Sequence, residues 1–157
     1  MNSVARMSTA ERNTKSGFTA DERAAMRQRA AELKKQERKG KSAEERAAID
    51  RQDLLDAIAE MDDSDRSIAQ GIDDIVQAEA PQLASKTWYG FPAYTRDGKV
   101  VVFFKAAGKY KDRYATLGFE SAARLDDGQM WPTSYAILSL GEGDRERIAE
   151  LVRRAAG

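Results

Sequence analysis

Apolar positions in the first half of the chain recur at helical spacing. Thr19 and Glu22 form a capping-box pattern ahead of a segment rich in helix-forming residues, which predicts a helix over residues 19–39. The apolar stripe of this helix contains only Met26, Ala30 and Leu33. Such a narrow stripe can bury little surface. We therefore interpret this helix as an accessory extension.

Two amphipathic helices are predicted after Gly40. Ser42 and Glu45 repeat the capping-box pattern and predict a helix as far as Met61. A further N-cap within residues 62–65 predicts a third helix, which ends before Pro81. The second helix has an apolar face of Ala47, Leu54, Leu55, Ile58 and Met61, and a nearly opposite acidic face of Asp53, Asp56, Glu60 and Asp63. The third helix presents Ile68, Ile72, Ile75 and Val76.

The pattern changes to aromatic and β-branched residues after Lys86. KTWYGFPAY is predicted as one strand, followed by a type I′ hairpin turn at Asp97-Gly98 and a second strand. The continuous apolar run over residues 100–104 predicts that this second strand is central and covered on part of both faces. RYATLGF and SYAILSL are predicted as the next strands, and Asp144 as the cap of a last helix that buries Ile148, Leu151, Val152 and Ala155.

This order of elements predicts an α+β fold. We expect an antiparallel sheet of about four to five strands with helices packed on one face, plus an N-terminal helical extension. Residues 1–18 are expected to be a flexible lead-in, residues 19–41 the extension and residues 42–157 the domain. No apolar run approaches the roughly 20 residues of a membrane span, and the first residues lack the apolar core of a secretory signal. We therefore expect a cytoplasmic protein with no membrane partner.

Composition excludes much familiar chemistry. The 157 residues include no Cys and no His, which excludes disulfides, zinc fingers, thiol nucleophiles and Ser-His-Asp triads. The net charge of zero hides a segregation: residues 1–50 carry 12 basic and 8 acidic side chains, residues 51–80 carry 2 and 9, and residues 81–157 carry 12 and 9. Without a strongly basic domain, nucleic acid is not expected as a partner. Asp, Glu, Lys and Tyr occur throughout without convergent placement, so we expect a protein that is not an enzyme.

The acidic face of the second helix is the candidate metal site. Asp53, Asp56, Glu60 and Asp63 supply the oxygen ligands that a hard cation or ferrous iron prefers. The alternative is an ordinary solvated helix face, because charge opposite an apolar stripe is the usual amphipathic arrangement.

Two aromatic segments form the candidate ligand-binding site, which comprises Trp88, Tyr89, Phe91, Tyr94, Lys109 and Tyr110. The aromatic residues around Gly90 could line a cleft or belong to the core. Strand alternation predicts Tyr89 and Phe91 on one face, with Trp88 and Tyr94 on the other. The basic segment of Lys105, Lys109, Lys111 and Arg113, interleaved with Tyr110 and Tyr114, is the candidate anion site, and its alternative is a solvated loop.

These segments carry a family resemblance. KTWYGFPAY, DGKVVVFF, the Lys109-Tyr110 pair, TLGF at residues 116–119 and the closing amphipathic helix lie in a stretch from about Leu54 to the C-terminus. That stretch, about two thirds of the chain, resembles the YdhG-like bacterial domains of unknown function. YGFPAY is its most specific part, although the family usually has Met where this chain has Phe91.

The resemblance implies two hypotheses about function. Some relatives are described as frataxin-like iron chaperones, so it implies a non-enzymatic binding protein that handles iron, without fixing the iron ligands. The helices before residue 61 are similar to an extension on a subset of relatives. The alternative is a module that binds a protein, a small ligand or an anion through the WYGFPAY region and the basic segment from Lys105 to Arg113.

Overall fold

The first described helix, α1, spans Ala20–Arg38. The structure, a computed structural model, describes residues 19–157, so the predicted lead-in lies outside the described residues. The Thr19 hydroxyl accepts a 3.1 Å hydrogen bond from the Glu22 backbone N–H, as the capping pattern predicts. Met26 and Leu33 are 45% and 52% exposed. The chain divides into two compact units, Met1–Ser42 and Ala43–Gly157.

Three helices belong to the second unit. They are α2 (Ala43–Ala59), α3 (Asp63–Glu79) and α4 (Glu142–Ala156). Asp62 caps α3 by accepting a 3.0 Å bond from the backbone N–H of Asp65. Asp144 lies inside α4 rather than at its cap, and its carboxylate accepts a 2.9 Å bond from the backbone N–H of Gly141. The predicted helices are thus present, with ends displaced by a few residues.

The sheet is an antiparallel meander of five strands. In order across the sheet they are β1 (Ala84–Trp88), β2 (Phe91–Arg96), β3 (Lys99–Lys105), β4 (Ala115–Phe119) and β5 (Ser134–Ile137). A short 3₁₀ turn at Gly108–Tyr110 follows β3. β3 is the central strand, as its apolar run predicts. Together with the helices, the sheet confirms the α+β fold.

One predicted strand is wrong, because KTWYGFPAY forms two strands. Tyr89 (φ 50°) and Gly90 (φ 79°) make a two-residue turn between β1 and β2, and Trp88 pairs directly with Phe91. Positive φ at both positions matches the twist of paired strands. The turn therefore resembles that at Asp97-Gly98, whose φ values are 52° and 78°.

The core lies between the three helices and one face of the sheet. The Leu54, Ile72 and Val152 side chains of α2, α3 and α4 are fully buried there, together with Val102 of β3 and Leu117 of β4. Cross-strand partners share a face, and Tyr94 pairs with Val102, which pairs with Phe119. This register defines the helix-covered face and leaves the alternate residues on the opposite face.

A β-bulge adjusts the register between β2 and β3. Tyr94 pairs with Val102 and Thr95 with Val100, so Val101 has no partner of its own. Val101 and Val102 are both fully buried. This is possible because the bulge interrupts the alternation by which successive side chains of a strand point to opposite faces. Pro92 lies buried inside β2, opposite Thr87 of β1.

Candidate functional site

Five aromatic residues form a continuous surface on the sheet face opposite the helices. The ring centroids of Tyr89 and Trp88 are 5.0 Å apart, and those of Trp88 and Phe103 are 5.2 Å apart. The Phe103 and Phe91 centroids are 6.2 Å apart, and those of Phe91 and Tyr110 are 5.5 Å apart. We call these five residues the aromatic surface. It starts at the β1–β2 turn, crosses three strands and ends in the turn after β3.

The strand register brings the aromatic surface together. Trp88 faces Phe91 across β1 and β2, and Ala93 faces Phe103 across β2 and β3. Phe103 in turn faces Gly118 of β4, where a Cβ atom would overlap the Phe103 ring. Gly118 therefore provides the space in which that ring lies. Sequence analysis missed Phe103 and Gly118, since only strand pairing brings these residues beside Trp88 and Phe91.

Asp65 holds the turn after β3. This carboxylate, 4% exposed in the first turn of α3, accepts hydrogen bonds from the backbone N–H groups of Ala107 at 3.1 Å and Gly108 at 2.9 Å. These two bonds fix the short 3₁₀ turn that carries Lys109 and Tyr110. Asp65 therefore acts as a positioning residue for the aromatic surface.

Two lysines flank the last ring of the aromatic surface. The Lys105 and Lys109 ammonium nitrogens lie 4.8 Å and 5.8 Å from the Tyr110 ring centroid, within the range of cation–π interactions. Lys105 also forms an ion pair with Asp112, with 3.3 Å between Nζ and Oδ2. Since Asp112 offsets the charge of Lys105, the exposed Lys109 is the better placed of the two to meet an anion.

A cavity of about 430 Å³ opens beside this end of the aromatic surface. Its lining includes Phe91, Lys109 and Tyr110, together with Glu60, Met61 and Asp62 near the end of α2. The Asp62 carboxylate lies beside Gly108, in the turn that carries Lys109 and Tyr110. Its volume lies within the usual range for small-molecule sites. Basic, aromatic and acidic side chains thus line the same cavity.

Tyr94 is not part of this surface. It is 1% exposed on the helix-covered face, and its hydroxyl donates a 2.7 Å hydrogen bond to Oδ1 of Asp73. Arg51 donates to both oxygens of the same carboxylate, at 2.6 and 2.7 Å, and to the Ser85 hydroxyl at 3.3 Å. The prediction that Tyr94 binds ligand is therefore corrected: its ring fills the core and its hydroxyl joins a polar network.

The charges in this network stabilise one another. Burial by itself would raise the pKa of Asp73, but hydrogen bonds from Arg51 and Tyr94 and the Arg51 charge outweigh it and lower that pKa. The hydrogen bond to Asp73 raises the pKa of Arg51. Burial, then the neighbouring Asp73 charge, raises the pKa of Tyr94 far above its usual value, so its hydroxyl stays protonated as a donor.

The acidic residues of the predicted metal site lie apart from this network. Asp56, Glu60 and Asp63 are exposed and Asp53 is half-buried. Asp56 accepts a 2.8 Å bond from the Gln52 amide, and Asp63, which lies in α3 rather than α2, pairs with Arg66. Within residues 19–157, no three acidic side chains are grouped so as to hold a metal ion. Metal binding at this face therefore stays a prediction, without a preformed site.

A second cavity, of about 270 Å³, lies at the β5 edge of the sheet, between β5 and α4. Its lining includes Tyr135, Leu138, Leu140, Arg147 and Leu151. Leu138 is 69% exposed, and Arg147 lies 5.4 Å from the Tyr135 ring centroid. This groove is separate from the aromatic surface, which starts at the opposite edge of the sheet.

Within residues 19–157, none of the helices combines the length and the apolarity that crossing a membrane requires. Comparisons with protein-family models, with curated proteins and with solved structures find no match to this chain, so the likeness to the YdhG-like domains rests on the quoted residues alone.

Proposed function

We propose that the chain is a cytoplasmic, non-enzymatic binding domain whose ligand is an anion that carries a planar ring. The ligand would occupy the cavity lined by Phe91 and Tyr110, with its anionic group at Lys109. The observation that carries this proposal is the position of the Lys109 ammonium group beside the Tyr110 ring, in a cavity that both residues line.

The chemistry of the side chains that line the cavity supports a ligand with an anionic group and a ring. Rings of the ligand can stack on Phe91 and Tyr110 or meet them edge to face, as aromatic pairs do. The Lys109 ammonium nitrogen lies 3.4 Å from where a Cβ of residue 90 would stand, so this cation lies close to the β1–β2 turn. An anionic group on the ring would complete an ion pair there. The carboxylates of Glu60 and Asp62 also line the cavity and would repel an anionic group that approached them, which favours its placement at Lys109.

Trp88 supplies a local reporter for the test. The chain has two tryptophans, so the Trp131→Phe variant leaves Trp88 as the only one. We expect 1-naphthalenesulfonate to change the fluorescence of Trp88 saturably, and the uncharged 1-naphthalenemethanol to bind more weakly. Lys109→Gln should reduce the difference between the two probes, because it removes the cation and keeps most of the side chain.

Lys99→Gln is the matched control, since Lys99 is an exposed lysine at the other end of β3. Equal binding of the charged and uncharged probes, or equal effects of the two lysine variants, would contradict the anion site. Absence of saturable binding by either probe would contradict the proposal as a whole.

Iron binding by the acidic face of α2 is the second candidate. It is supported by the resemblance to YdhG-like domains and by the exposure of Asp56, Glu60 and Asp63. Anaerobic calorimetric titration with ferrous iron tests it, with Asp56→Asn/Glu60→Gln as the variant and Asp126→Asn/Asp127→Asn as the matched control. Loss of heat in the first variant alone would support iron binding, and heats equal to buffer in the unaltered chain would contradict it.

A further inference from the structure

We infer that the ligand of the aromatic surface is single-stranded nucleic acid, with bases stacked on Tyr89 and its neighbours and phosphates beside the lysines. This inference rests on the proposed function and narrows it to one class of ligand. It starts from the conformation of Tyr89.

Tyr89 combines two features that a purely structural residue would not have. Its φ of 50° lies in the left-handed region, which disfavours side chains with a Cβ atom and is usually occupied by Gly, Asn or Asp in such turns. Its side chain is nevertheless 80% exposed, so little burial offsets that strain. Backbone strain without packing gain is typical of functional positions. We therefore interpret the exposed ring as a binding group.

The extent of the aromatic surface favours a ligand with several rings over a ligand with one ring. The cavity lies beside Phe91 and Tyr110, whereas Tyr89 and Trp88 lie at the other end of the aromatic surface, with Phe103 between. Open sheet faces that carry aromatic side chains bind the unstacked bases of single strands. Such stacking tolerates any base sequence, because every base has a π-face.

The charged side chains near the aromatic surface favour binding of a phosphate backbone, although the net charge of the whole chain is zero. Residues 105–114 carry four basic side chains and one acidic side chain. Lys86 also lies on the face of the aromatic surface, because it pairs with Ala93, which pairs with Phe103. Arg113 lies 5.3 Å from the Tyr114 ring centroid. Cations thus accompany the aromatic surface at β1 and from Lys105 onward, and the carboxylates of Glu60 and Asp62 in the cavity limit where a phosphate backbone can lie.

Fluorescence anisotropy of labelled decathymidylate and decauridylate with the full chain tests the inference. We expect both to bind more tightly than thymidine and uridine monophosphates, and their affinity to fall as salt is raised. Tyr89→Phe should bind as the unaltered chain does, whereas Tyr89→Asn should bind about tenfold more weakly or worse. Asn-Gly is the favoured pair for this type of turn, so the melting temperature of Tyr89→Asn should be equal or higher.

The variants separate a binding role from a structural one. Leu138→Ala, which removes an exposed apolar side chain at the β5 edge, is the control and should leave affinity unchanged. Unchanged affinity in Tyr89→Asn, or equal binding of mononucleotides and decamers, overturns the inference. Saturable binding of naphthalenesulfonate with no binding of either decamer overturns the inference and leaves the proposed function standing. Failure of every probe overturns both.

Discussion

The phenolic hydroxyl of Tyr94 donates a 2.7 Å hydrogen bond to the carboxylate of Asp73 inside the core. Arg51 of α2 donates two hydrogen bonds to the same carboxylate. The Asp73 side chain of α3 thus links β2 and α2. All three partners are polar groups withdrawn at least partly from water. Each must therefore keep its partners, since an unpaired buried polar group costs more than the bond contributes.

Tyr94→Phe should destabilise the protein by about 1.5 to 3 kcal/mol, because it removes one hydrogen bond to a charged acceptor. Chemical denaturation monitored by circular dichroism measures this. Tyr89→Phe makes the same change at an exposed ring and should stay within about 0.5 kcal/mol of the unaltered chain. Equal effects of the two substitutions would contradict a structural role for the Tyr94 hydroxyl. Binding of naphthalenesulfonate should survive in both variants.

Lowering the pH should reduce the stability of the folded protein, because Asp73 becomes protonated. Its pKa is lowered in the folded state from an ordinary value of 3.8, so its contribution to stability is complete above that value and is lost as pH falls through the lower, folded-state pKa. The Asp73→Asn variant should be less stable at neutral pH but lose less stability between about pH 5 and about pH 2. Urea midpoints measured across this range check the slopes, with Asp74→Asn as the control. Parallel curves for the unaltered chain and Asp73→Asn would contradict the prediction.

Gly118→Ala should cost about 1 to 3 kcal/mol, because the added Cβ overlaps the Phe103 ring. The same substitution in a Phe103→Ala background should cost clearly less, which thermal denaturation of the four chains of this double-mutant cycle measures. Additive effects would show that the ring moves freely away from Gly118. In the single variant, Trp88 fluorescence should also change, since Phe103 contacts Trp88 at 5.2 Å between centroids.

Asp65→Asn should weaken binding of naphthalenesulfonate by loosening the turn after β3, which lines the ligand cavity together with Asp65. An amide offers one acceptor where the carboxylate accepts from two backbone N–H groups, so the turn that carries Lys109 and Tyr110 loosens. Stability should fall by about 1 to 3 kcal/mol. Titrations are therefore made at a temperature where both chains are folded, with Asp63→Asn, at an exposed carboxylate nearby, as the control. Unaltered affinity in a folded Asp65→Asn protein would contradict a positioning role.

Deleting residues 1–40 should shift the melting temperature of the remaining chain by no more than roughly 2 °C. The reason is that α1 leaves Met26 and Leu33 about half exposed, so it contributes little burial. Differential scanning calorimetry of the two chains measures the shift. A drop of more than roughly 8 °C would show that the extension is integral to the core.

Local interactions account for the elements that could be predicted from the sequence. The Thr19–Glu22 cap, the end of α3 before Pro81 and the turn at Asp97-Gly98 each depend on residues no more than a few positions apart. The amphipathic periods of α2, α3 and α4 then indicated which faces are buried, and the order of elements indicated an α+β fold. The turn at Tyr89-Gly90 was missed because Tyr is rare at positive φ, although Gly between two β-forming runs was the available clue.

The composition of the candidate site depended on tertiary structure. Five of the six predicted ligand-binding residues lie together, whereas Tyr94 lies on the opposite face of β2 from Phe91, as strand alternation predicts. The turn at Tyr89-Gly90 instead brings Trp88 to the face of Phe91. The pairing of β3 with β4 adds Phe103 and Gly118 to the site. Asp65 belongs to it because its carboxylate accepts hydrogen bonds from backbone N–H groups 42 and 43 residues away. Caps, turns and helical periods are determined by neighbouring residues and can be predicted from sequence. Contacts between distant residues depend on strand register and on how helices pack against the sheet, which only the folded chain determines.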